Sequence, residues 1–133
     1  SSQLVGNWLS TKNVTYYTDS KGAQQEYNDG TIYTYSFDAN GTVKKKSGSF
    51  TTYSATYATS SSNGNDFVSF SVKANLDGTG TTTEVDTYKI ITLTDKLLII
   101  QTLPSSGIWS ITDYKGNKIS GTNSYGYESY TKQ

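Results

Sequence analysis

Residues 67–76 read FVSFSVKANL, and from Val68 onward the run alternates without a slip. Val68, Phe70, Val72, Ala74 and Leu76 share one face, while Ser69, Ser71, Lys73 and Asn75 share the other. A period of two is the signature of a strand, and one apolar face against one polar face describes an antiparallel sheet wetted on one side. Upstream, IYTYSF at 32–37 sets Tyr33, Tyr35 and Phe37 together, opposite Ile32, Thr34 and Ser36. Downstream, 84–94 ends in YKIITLT, where Ile90, Ile91 and Leu93 break strict alternation. That break predicts a bulge, or burial on both sides near a barrel end.

Between these segments the turns share a form. DSKG at 19–22, DANG at 38–41, DGTG at 77–80 and DYKG at 113–116 all read Asp-x-x-Gly. Asp bonds its own backbone two residues on, and Gly supplies the positive φ that closes a hairpin. The predicted strands are 4–18, 30–38, 42–58 (broken at Gly48), 66–76, 81–94, 97–103, 108–114 and 118–131, eight or nine in all. The single proline, Pro104, stands where a strand gives way to a loop. Short reversals join antiparallel neighbours, so the expected fold is all-β. It is one domain over residues 1–133, a single up-and-down barrel with little or no helix. Closure removes sheet edges, which favours the barrel over a sandwich.

Composition agrees and excludes several functions. Hydrophobic residues, tyrosine included, make up 33% of the 133 residues, a thin core by the usual standard. Tyr contributes 12 residues, Trp 2 and Phe 4, and the net charge is zero, so disorder is not indicated. Cys, His, Met and Arg are all missing. Without Arg and without basic charge, nucleic acid is not an expected partner. Neither a membrane-spanning run nor a signal peptide is visible. A Ser/Thr/Tyr/Asn-rich chain without thiols suits an extracytoplasmic bacterial protein.

Residues 4–11, LVGNWLST, followed by GTIYTYSFDANGTVKKK, resemble the start of bacterial lipocalin-like domains. The matching residues are Gly6-Asn7-Trp8, then Phe37-Asp38-Ala39-Asn40-Gly41-Thr42. Tyr88-Lys89-Ile90-Ile91-Thr92-Leu93-Thr94, the strand KLLIIQT and the closing YESYTKQ extend the likeness. The resemblance implies a calycin-type barrel in the periplasm, at the outer membrane or at the cell surface. Any membrane association would be peripheral, through a lipid anchor outside this sequence. It also implies that Gly6 and Trp8 belong to the closed barrel end, with Lys132 over the Trp8 ring in place of the family's usual Arg. Such a cation–π contact contributes about 0.5–1 kcal/mol when exposed.

Catalysis is not expected. His and Cys, the usual general base and the best nucleophile, are absent. Glu84 and Asp86 form the best carboxylate pair, roughly 7 Å apart on one strand face, and the polar context TTTEVDTY reads as a solvated outer face. No metal site or cofactor is indicated, since each Asp-x-x-Gly turn offers one carboxylate and is explained by its turn. Lys44-Lys45-Lys46 alternates faces and reads as a solvated strand end. Inward-facing Tyr33, Tyr35, Phe37, Val68, Phe70, Val72 and Tyr88 would line the barrel. Buried Tyr hydroxyls need partners, so this interior is either cross-bonded and full or open to an amphipathic ligand. The scarcity of large aliphatics points to a partial cavity. The expected function is therefore an extracytoplasmic binding protein holding a small apolar or amphipathic molecule. The alternative is a filled barrel that binds glycan or protein through surface aromatics, with Trp109 beside Tyr114 or the YGYESY tyrosines.

Overall fold

The computed structural model describes residues 2–76 and 80–133; nothing is stated of the side chains of Ser2, Thr52, Ala74, Asn75 and Leu76. The chain is all-β, with a closed antiparallel eight-stranded barrel and additional strands. After a 3₁₀ turn at Ser2–Leu4 come β1 (Gly6–Thr18), β2 (Gln24–Asn28), β3 (Tyr33–Phe37), β4 (Thr42–Ser47) and β5 (Phe50–Ser62). They continue as β6 (Asn65–Leu76), β7 (Gly80–Leu93), β8 (Leu97–Thr102), β9 (Ser105–Thr112) and β10 (Lys118–Lys132).

Among the described residues ten strands form where eight or nine were expected, and the simple meander is broken twice. The first half of β1 pairs with β3, Gly6 opposite Phe37 through Leu9 opposite Thr34, but its second half, Val14–Thr18, pairs with β2. In the same way β10 gives Tyr127–Thr131 to β8 and Lys118–Ser124 to β9. The seam β1–β10 closes the barrel along its whole length, Trp8 opposite Lys132 and Thr18 opposite Thr122. The barrel order is thus β1-β3-β4-β5-β6-β7-β8-β10, and β2-β1-β10-β9 continues beyond its mouth as a four-stranded extension. β2, QQEYN, carries no alternation to read; it forms because β1 outruns β3 and leaves ladder groups to be met.

Side chains make the two changeovers. Ser10 Oγ accepts from the Tyr33 amide at 2.8 Å, and Asn13 O accepts from the Asp29 amide at 2.9 Å, where β3 leaves β1 and β2 takes over. On the other side, the Gly126 amide donates to Thr102 Oγ1 at 2.6 Å where β8 ends. Three of the Asp-x-x-Gly turns form as read: Gly22, Gly41 and Gly116 have φ of 81°, 90° and 84°, and each donates its amide to the Asp three residues before. The fourth falls on 77–79, outside the described residues. The irregularity expected in YKIITLT is present as a bulge between Ile90 and Thr92.

The core is aromatic. Trp8, Tyr35, Tyr130, Phe70, Leu4, Leu98, Ile100, Val43 and Val68 are all fully buried. Tyr35 stands at the centre, 5.1 Å from the Tyr130 ring, 5.5 Å from Phe70 and 5.7 Å from Phe37, measured between centroids. Rings of this size supply the volume that the missing aliphatics would have filled.

Candidate ligand-binding site

The barrel end at the start of β1 is plugged. The 3₁₀ turn lowers Leu4 into the core, and Trp8 Nε1 donates to the Leu4 carbonyl at 2.8 Å, so the buried indole is satisfied. Lys132 Nζ lies 5.3 Å from the Trp8 ring centroid and donates to Gln3 O at 3.2 Å. Gly6 adopts φ 134°, and a Cβ there would stand 2.6 Å from Lys132 Cε. Gly6, Trp8 and Lys132 are therefore one packed unit.

Above the plug, the inner-face residues anticipated as pocket walls do not all line a pocket. Tyr35, Phe37, Val68 and Phe70 are each 3% exposed or less and pack on one another. The expected partial cavity is occupied at this level by the protein's own rings. Further up, towards the mouth, the interior turns polar.

Register places Lys45 opposite Tyr35, Tyr53 opposite Lys45, and Tyr88 opposite Val68, all on the inner face. Lys45 Nζ sits 4.1 Å from the Tyr33 centroid, 5.5 Å from Tyr35 and 5.9 Å from Tyr53, a cation among three rings. Of the three consecutive lysines only Lys45 turns inward, and a charge run gives no hint of it. Glu128, on β10, accepts the Tyr130 hydroxyl hydrogen bond. A cleft of about 210 Å³ opens here, lined by Asn13, Val14, Asp29, Tyr33, Lys45 and Glu128. Asp86 and Glu84 lie opposite Phe70 and Val72, so they share the inner face, exposed at the mouth. The solvated outer face expected for this pair is thereby corrected: β6 and β7 rise past the barrel rim, and an inward position there meets water.

The electrostatics of this layer follow from burial. Desolvation, then neighbouring tyrosines and Glu128, pushes the Tyr35 hydroxyl far above its usual value. Burial and Glu128 raise Tyr130 and Tyr88 in the same direction. Tyr35 Oη is the exceptional atom. It is buried and makes no hydrogen bond of ordinary geometry among the described residues, with the Tyr53 and Tyr130 hydroxyls near enough to act on it as hydrogen-bonding neighbours.

Trp109 is elsewhere. It belongs to the extension, half-buried, with its ring stacked on Tyr17 at 4.8 Å and 27°, and Tyr27 tilted against it at 6.0 Å. Tyr114 and the closing tyrosines, expected beside it, are not its partners. Tyr114 is 93% exposed in the β9–β10 turn, while Tyr125 and Tyr127 gather with Tyr16. Because Trp109 and Tyr17 face each other, they do not form the flat side-by-side surface on which a sugar ring stacks.

No protein-family model, curated protein or solved structure matches this chain. Function is therefore argued from the site. Among the described residues no cluster of three or more His, Cys, Asp or Glu is placed to hold a metal, and no helix is long and apolar enough to cross a membrane.

Proposed function

We propose that the chain is a non-catalytic, extracytoplasmic binding module that takes a small amphipathic molecule at the polar mouth of its barrel. The observation that carries this reading is the buried Tyr35 hydroxyl, without a hydrogen bond of ordinary geometry among the described residues and one inward position deeper than Tyr33, which lines the mouth cleft. A buried hydroxyl left unpaired costs about 1–3 kcal/mol, and a ligand reaching down to it removes that cost. Around it stand rings for apolar contact (Tyr33, Tyr53 and Tyr88) and charges of both signs, Lys45 and Glu128. Few precisely placed polar groups on an aromatic lining suit a small ligand. The filled core beneath sets a depth limit, so the ligand rests on the core rather than inside it.

Native mass spectrometry of protein purified from bacteria tests this: a stoichiometric small molecule, lost on unfolding, is the expected result. Tyr35→Phe sharpens it. Removing an unpaired hydroxyl should leave the empty protein as stable or more stable by up to about 1 kcal/mol, while ligand retention falls about tenfold or more. A destabilised Tyr35→Phe protein would mean that the hydroxyl already has a partner, and the reading would fail.

A further inference from the structure

A second cleft lies at the opposite, plugged end of the barrel, and it arises from a mismatch in strand length. β4 pairs with β5 only as far as Thr42 opposite Thr56, yet β5 and β6 run on as a hairpin to Ser62 and Asn65. On this overhang the inner-face positions are Thr59, opposite Val68, and Ser61, opposite Asp66. They are small and polar where the body of the barrel carries Phe70 and Val68. Leu4 fills the far side of the same end, with Gln3 on the rim.

β7 completes the enclosure by an irregularity. Ile90 pairs with Ile100 and Thr92 with Ile99, so Ile91 is the extra residue of a bulge. A regular strand would turn Ile91 away from Ile90, whereas here Ile90, Ile91 and Leu93 all line the cleft. Ile91 stays 43% exposed. Bulges of this kind re-aim side chains beside binding sites, and an uncovered aliphatic wall marks a surface that something else covers.

The space is about 570 Å³ and half-open, within the range of small-molecule sites. Asp66 is the charged side chain on its wall among the described residues. Its Oδ1 accepts from Ser61 Oγ at 2.6 Å, and both residues are solvent-exposed. A carboxylate beside Ile90, its cross-strand partner, offers the two ends of one amphipathic molecule different contacts.

We propose that this cleft binds a small amphipathic cation of the alkylammonium class, its head at Asp66 and its chain along Ile90, Ile91 and Leu93. The site is at the other end of the barrel from the mouth and stands whether or not the mouth binds a ligand.

The test is an amide-resolved NMR titration of the intact chain with octylammonium and, separately, with octanoate, both below their micelle concentrations. Octylammonium should give saturable shifts at Ser61, Asp66, Ile90 and Ile91, with octanoate weaker by about tenfold or more. Asp66→Asn should erase that preference for the cation. Ile91→Ser, at an exposed position, should weaken octylammonium several-fold with the rest of the spectrum unchanged, which guards against misreading an unfolded Asp66 variant. Equal binding of both probes, no saturation at millimolar concentration, or shifts confined to Tyr33, Lys45 and Glu128 would each overturn the proposal. The last outcome would leave the mouth reading intact, and shifts at Asp66 with a silent mouth would do the reverse.

Discussion

Trp8 and Trp109 lie in the two halves of one structure and are treated in opposite ways. Trp8, in the barrel body, is fully buried, bonded through Nε1 and covered by Lys132. Trp109, in the four-stranded extension, is half-buried and shielded mainly by Tyr17 and Tyr27. Both halves use β1 and β10. The difference is closure: a barrel wall has another wall across from it, so its inward rings leave water altogether. The extension has no second layer, so its rings can only cover one another. Tyr16, Tyr125 and Tyr127 form a second such cluster, with centroids 5.4–6.2 Å apart.

The comparison breaks first under truncation. Trp8→Ala should cost about 3–5 kcal/mol, a large part of the stability of any domain this size. Trp109→Ala should cost about 1–2 kcal/mol, the loss of one stack and part-burial. Urea unfolding of the two variants gives both numbers, and equal costs would show that the extension is as integral as the barrel.

Alkali separates the halves next. Tyr35, Tyr88 and Tyr130 have hydroxyls pushed above the ordinary value of 10, by burial first. Their neutral forms are favoured in the folded state, so their contribution is full below the unfolded value and is lost as pH rises past it. Above about pH 10 each should lower stability by about 1.4 kcal/mol per pH unit. Denaturant melts between neutral pH and pH 11 should fall steeply, and the tyrosinate absorbance of Tyr35, Tyr88 and Tyr130 should be withheld until the barrel opens.

The last effect is the most local. A Cβ at Gly121 would stand 2.5 Å from the Thr18 carbonyl oxygen and 2.5 Å from Tyr17 Cδ2. Gly121→Ala should therefore cost about 1–3 kcal/mol by overpacking and dislodge Tyr17 from Trp109. Near-ultraviolet circular dichroism should change, and hydrogen exchange should quicken in β2 and β9 while Tyr35 and Phe70 stay protected.

The barrel was legible in the sequence because its inner faces alternate. Val68, Phe70 and Val72 share a face with Tyr33, Tyr35 and Phe37 once the strands are laid side by side, and the Asp-x-x-Gly turns mark the reversals. The extension was not legible. β2 is held by backbone that β1 leaves over, and Gln24, Gln25 and Glu26 carry no trace of it. Nor did pattern reveal that Lys45 would enter a group of rings, because a lysine run on a strand reads the same whether its middle member faces water or tyrosine. The fullness of the interior depended on ring packing in three dimensions, which residue counts do not report.

The seam joining β1 to β10 has a consequence for how the chain comes to be folded. Lys132 and Gln3 are 129 positions apart and yet bonded, so the contact that shuts the barrel is among the most distant in sequence that this chain makes. Contacts of such separation are slow to find. On the ribosome, β1 gains β3 and β2 along one edge early, but its other edge waits through the synthesis of every strand up to β10. Trp8 acquires its cover, and the extension its second central strand, only when the fifteen-residue β10 has emerged. Until β10 is made the nascent protein is an open, edge-bearing sheet, and that strand works as the clasp.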